Sequence, residues 1–159
     1  MVQGNYFDNN ADLVFTVDHF IDWATIIPLK EEGFKDAADF KKSGDKHLEF
    51  APASTDEALE GYKAVWQQTG ELAGVEVAGA ARAMDKHGLK SNSGKVTFPP
   101  DMVRLVDLFV QSGLLGYAMG RHHGGLNMNL SASSIVMELV SRADPAFGIA
   151  LGCYNLAEV

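Results

Sequence analysis

The chain has 159 residues, 47% apolar and 21% charged, a size and balance that suit one globular domain with a buried core. Its formal charge of −8 disfavours nonspecific binding to nucleic acid, whose phosphates repel it. No apolar run approaches the roughly 18 residues of a membrane helix, so no membrane span is expected.

Residues 1–5 have no basic patch followed by an apolar run, so no signal peptide is expected. Leu13, Phe15, Val17, Phe20, Ile21, Trp23, Ala24 and Ile27 then predict one helix, ending near Pro28. Residues 33–53 are mixed and charged, without a clean period. They read as a long connection with room for one short helical turn. Ser54 with Glu57 three residues on is a capping box, which starts the next helix. Apolar residues keep a helical rhythm from Leu59 to Met84, giving roughly 30 residues and about 45 Å. Gly61, Gly70, Gly74 and Gly79 lie inside it, each unfavourable by roughly 1 kcal/mol against Ala. Their presence implies a bend or the close approach of another backbone.

Gly88 should end that helix. Residues 91–94 read as a turn and Lys95 to Phe98 as a short β-leaning segment. Pro99-Pro100-Asp101 opens a helix with Met102, Val103, Leu105, Val106, Phe109 and Val110 inward, closing at Gly113. Gly124-Gly125 makes a turn, since glycine reaches backbone angles closed to other residues. A helix carrying Met137-Glu138-Leu139 stops at Ala143-Asp144-Pro145, and an almost uncharged helix follows over residues 147–156. The expected fold is all-α, an up-and-down-like bundle of five or six helices.

Chemistry-bearing patterns are sparse. His122 and His123 are adjacent and so diverge, with no Glu-x-x-His partner nearby, so no metal site is expected. They read as loop histidines bonded to backbone. The spacing Gly113-x-x-Gly116-x-x-x-Gly120 closes a helix instead of opening one, which is the wrong dipole for phosphate. Glu31 and Glu32 read as solvated carboxylates. Asp18 and Asp22 are one turn apart without a basic neighbour in sequence. Cys153, the single cysteine, cannot close an internal disulfide and points to a reducing cytoplasm. Without a basic neighbour it reads as a buried core thiol. No catalytic residue is assigned. On the last helix Phe147, Leu151 and Tyr154 share a face, with Gly148 and Gly152 beside them. Ordinary helix packing and a slot for an extended apolar ligand both fit that pattern.

The order Gly113-Leu114-Leu115-Gly116, Gly124-Gly125-Leu126, Glu138-Leu139 and Ala143-Asp144-Pro145-Ala146-Phe147 resembles the N-terminal helical domain of the acyl-CoA dehydrogenases. The resemblance covers at least residues 54–156. Tyr6-Phe7-Asp8-Asn9 and Asp22-Trp23 look like the extra N-terminal segment of the longer branch, which includes 3-methylmercaptopropionyl-CoA dehydrogenases. Residues 1–53 would be that extension, and 54–159 the helical domain, cut before a β-domain. The proline that usually precedes the diglycine is Gly120 here, and the glycine that usually follows it is Asn127.

The resemblance implies α,β-desaturation of an acyl-CoA thioester, with FAD taking the hydride and an electron acceptor reoxidising it. It places Phe147, Gly148, Leu151, Gly152 and Asn155 on the acyl cavity wall. Glu138 is not implied as the base. A complete enzyme would be a cytoplasmic homo-oligomer, whereas the 159 residues alone should be inactive and retain no FAD. A non-catalytic helical interaction module and an acyl-binding carrier are the alternatives.

Overall fold

Side-chain caps and glycines set where the chain turns in the computed structural model, which describes residues 4–156, with side chains to Cys153. The first expected helix is two: α1 (Ala11–His19) and α2 (Trp23–Lys30). Asp22 divides them, because its side chain accepts a hydrogen bond from the Thr25 amide and restarts the helix. Pro28 sits inside α2, which runs two residues past it; only the Ala24 carbonyl loses its usual donor. The presumed connection holds α3 (Lys35–Ser43) and a 3₁₀ turn, Lys46–Leu48. Ala37 is the sole buried residue of α3, so the helix carries almost no apolar period to read.

The long helix forms as α4 (Thr55–Leu72) and α5 (Ala78–His87), joined by a π-helical turn, Ala73–Val77. Ser54 Oγ accepts from the Glu57 amide at 3.2 Å, and the Glu57 carboxylate accepts from the Ala53 amide at 2.8 Å. Its glycines divide in two. The N-terminal segment crosses at Gly70 and Gly74: Tyr6 N–H donates to the Gly70 carbonyl at 2.9 Å. A Cβ on Gly70 would lie 2.6 Å from the Phe7 amide nitrogen, and one on Gly74 would strike the Gly4 carbonyl. Gly61 and Gly79 face open space. Bend and close approach therefore coexist, the π turn lying where the segment of residues 4–7 passes.

Gly88 caps α5, and β1 (Lys90–Asn92) pairs antiparallel with β2 (Lys95–Thr97) through a tight turn with positive φ at Ser93 and Gly94. On α6 (Pro100–Gln111) Leu105 and Phe109 are buried, whereas Val103 and Val110 are each 51% exposed. Those two were expected inward; α6 packs through a single narrow face. Asn129 caps α7 (Leu130–Ala143), and Asp144 Oδ1 accepts from the Phe147 amide at the head of α8 (Pro145–Leu156). Among the described residues there are eight α-helices instead of five or six, in the expected all-α arrangement. α7 is central, with α4 and α8 packed on it. Trp66, fully buried, contacts the Phe7, Trp23 and Tyr62 rings and donates from Nε1 to the Ala132 carbonyl at 3.0 Å.

Candidate functional site

Two features of this framework have the form of sites. The larger is an open groove of about 890 Å³ between the end of α5, the entry to α6 and the start of α8. Met84, Leu89, Phe98, Met102, Phe147 and Ala150 give it apolar walls. Arg82, Asp85 and Asp144 are its charged lining residues, and Asp144 is already engaged as the α8 cap. An apolar concavity of this volume is typical of small-molecule sites.

The five residues implied by the resemblance do not share one surface. Phe147 lines the groove from behind, 1% exposed, its ring 5.4 Å from that of Phe109. Leu151 lies in the core. Gly148 and Gly152 face α7: a Cβ on the first would press into Ser141, and one on the second would lie 2.8 Å from Met137 Cε. These glycines seat α8 against α7. The side chain of Asn155 lies outside the described residues. The open face of α8 carries Ala146, Ile149 and Ala150 instead, with Ile149 65% exposed. Their spacing of three and four was present in the sequence, but in a helix apolar all round it does not stand out. Cys153 is exposed and not a core thiol; it follows the same solvent-facing spacing.

The second feature is the diglycine loop. Arg121, 7% exposed, donates from Nη1 and Nη2 to the two oxygens of Glu31 at 2.7 and 2.9 Å, and from Nη1 to Asp36 at 2.9 Å. Glu31 is 3% exposed, so it is not the solvated carboxylate expected; Glu32 is exposed. Burial opposes the charge on Arg121, but the hydrogen bonds and charge of Glu31, then of Asp36, outweigh it and hold its pKa above the usual value. The pair ties α2 and α3 to a loop 90 residues away. Nothing local in the sequence announces such a partnership. At the two positions where the sequence departs from the resemblance, Gly120 and Asn127, the residues suit the backbone angles they adopt. Gly120 has φ −62°, an angle proline also adopts, and Asn127 has φ 54°, in the left-handed region that asparagine tolerates after glycine.

His122 and His123 are exposed, and no group of three metal-capable side chains occurs among the described residues. Asp18, unpartnered in sequence, pairs with Lys63 at 2.9 Å, and Asp22 serves as a cap. Glu138 is exposed on α7 and accepts from Asn10 Nδ2 at 3.3 Å.

The sequence profile of the acyl-CoA dehydrogenase N-terminal domain matches residues 60–158. The 3-methylmercaptopropionyl-CoA dehydrogenase of Ruegeria pomeroyi is 21% identical over 138 residues, covering 87% of this chain and 20% of that protein. The chain thus spans about a fifth of the length of that relative. No solved structure matches. No helix among the described residues is long and apolar enough to cross a membrane. With a match running from α4 to α8 over more than half of its residues, the chain belongs to the acyl-CoA dehydrogenase family, as an N-terminal domain of that type.

Proposed function

We propose that this chain supplies one wall of the active-site cleft in a flavin-dependent acyl-CoA dehydrogenase that desaturates a thioester between its α and β carbons. The observation that carries the reading is the open apolar groove along α5, α6 and α8, in a chain of this family. Phe147 forms its back, Met102 and Ala150 its sides, and the seating of Gly148 and Gly152 on α7 fixes its floor. Each methylene that enters such a slot gains about 0.8 kcal/mol from leaving water. The same walls keep water from the reacting carbons.

FAD, when bound, supplies the hydride acceptor. The groove suits an acyl chain or one face of a flavin ring. It does not suit a pyrophosphate, because Arg82 stands against Asp85 and Asp144 among its lining residues. In this reading other parts of a longer protein hold the phosphates and supply the base that removes the α-proton. Glu138, bonded to Asn10 and absent from the groove lining, is not assigned that role. Residues 1–53 act as an extension pinned to the diglycine loop through Arg121. The complete enzyme is read as a cytoplasmic homo-oligomer reoxidised by a separate electron acceptor.

The test is to purify the product of the complete gene and mix it anaerobically with butyryl-, octanoyl- and palmitoyl-CoA, following flavin absorbance. Bleaching by one thioester is expected, and Ala150→Trp should raise KM for the longer chains by roughly tenfold. A gene product without flavin, or a flavin indifferent to all three thioesters, contradicts the proposal.

A further inference from the structure

The β1–β2 hairpin and the end of α5 carry charge of the opposite sign to the rest of the chain. Residues 86–98 hold Lys86, Lys90 and Lys95 and no carboxylate, in a protein of net charge −8. All three lysines are exposed, and none makes an ion pair among the described residues. Lysines elsewhere stand among acids: Lys35 pairs with Glu32, Lys42 with Asp39 and Lys63 with Asp18. The strand register sorts the hairpin into two faces. Lys90 is opposite Thr97 and Asn92 opposite Lys95, and cross-strand partners point the same way, so both lysines stand on one face. Ser91 and Val96 stand on the other, and the same alternation carries Leu89 and Phe98 onto it. Leu89 is 64% exposed, and Val96 and Phe98 about half. The tip, Asn92-Ser93-Gly94, is small and uncharged. A ribbon of two strands has no core of its own in which to bury such an apolar face.

We propose that this hairpin, with Lys86 beside it, docks the protein on an anionic lipid surface. An element apolar on one face and basic on the other settles at the boundary between headgroups and acyl chains. Val96, Leu89 and Phe98 meet that boundary, and the flexible lysine stems carry their ammonium groups up to the phosphates. An acidic protein surface would match the lysines but leave the apolar face in water; a bilayer takes both. The net charge does not oppose docking, because charges more than about 8 Å away are largely screened at physiological ionic strength. Asp85, the nearest carboxylate in sequence, stands with Arg82 in the groove lining. Leu89 and Phe98 also line that groove, so its mouth adjoins the docked surface. Phe15 and Phe20 at α1 form a second exposed apolar patch, 54% and 75% exposed, and supply the contrast. Asp12, Asp18 and Asp22 surround them in sequence, and lipid phosphates repel such a patch. The proposal needs neither flavin nor thioester, so it stands or falls apart from the cleft reading.

The test mixes the 159-residue chain with vesicles of phosphatidylglycerol and phosphatidylcholine in equal parts, or of phosphatidylcholine alone, and measures bound protein by sedimentation. Binding to the anionic vesicles is expected, and the neutral ones should bind about a hundredfold more weakly, at roughly fivefold per lysine. Lys90→Ala with Lys95→Ala should weaken anionic binding about 25-fold. Lys41→Ala with Lys46→Ala, the same change of charge on another exposed surface, should leave it unaltered. Val96→Thr keeps the branched shape, removes apolar surface and should weaken binding about threefold. Every variant should unfold in urea with the parent, because these side chains are exposed. A nitroxide on the lipid headgroup should broaden the amide signals of residues 86–98 and spare those of residues 11–22. Failure to sediment with anionic vesicles overturns the proposal and leaves the lysines to an acidic protein. Equal binding to both kinds of vesicle, equal losses in the two lysine pairs, or broadening centred on residues 11–22 overturns it as well.

Discussion

The two sides of this bundle are finished differently. On the N-terminal side, residues 4–10 cross α4 at Gly70 and Gly74, and three aromatic rings surround Trp66. Arg121 is clamped by carboxylates from α2 and α3. Arg142 adds a further tie, donating to the Tyr6 carbonyl and to Asn9 with its guanidinium 4.4 Å above the Tyr6 ring. On the other side α5, α6 and α8 leave an apolar groove, with Leu89, Phe98 and Ile149 about half exposed or more. Such a surface on a chain of −8 charge is seldom left bare. The contrast separates what holds the fold from what is available for chemistry. Substitutions on the sealed side should therefore act on stability, and those on the open side on ligand.

The largest effect is expected at Trp66. Trp66→Ala removes a fully buried ring and the Nε1 bond to Ala132, and should destabilise by about 3–5 kcal/mol in urea unfolding. Ile149→Ser on the open face should stay within about 0.5 kcal/mol. Comparable losses at the two positions would erase the distinction. Next comes Glu31→Gln, which leaves Arg121 buried with Asp36 alone and should cost about 3 kcal/mol. An unfolding midpoint equal to that of the parent would show that the clamp does not hold the loop.

The loop's own tyrosine sharpens the comparison through pH. Tyr117 is 1% exposed, and burial pushes its pKa from 10.0 to about 12. The folded state favours the protonated phenol. Its contribution is thus fully present below pH 10 and lost as pH rises through about 12, a change of about 2–3 kcal/mol. Stability measured across that window should fall less in Tyr117→Phe than in the parent. The smallest effects are at the glycines of the long helix. Gly74→Ala should cost about 1–3 kcal/mol by displacing the crossing segment. Gly79→Ala, facing open space, should stabilise by up to about 1 kcal/mol in thermal melts.

What could be read in the sequence was what local chemistry decides. Ser54 with Glu57, Gly88, and Asp144 before Pro145 mark helix ends because their side chains or backbone angles act within four residues. The π turn was foreshadowed by glycines, but four glycines in one helix do not say which of them another chain segment will touch. α3 was missed because it buries almost nothing. The Arg121 clamp was invisible because its partners stand 85 and 90 residues away, and ion pairing leaves no period. The groove was legible only as an unusually apolar α8. Which of its faces is open depends on α7 packing against Gly148 and Gly152, a tertiary fact.

The division of labour between the two sides is tested most directly by hydrogen–deuterium exchange on the product of the complete gene, with and without octanoyl-CoA. Added protection is expected in residues 81–102 and 145–156, around the open groove, and none in residues 62–77 under the N-terminal crossing. Protection confined to the sealed side, with the groove segments exchanging as before, would contradict it.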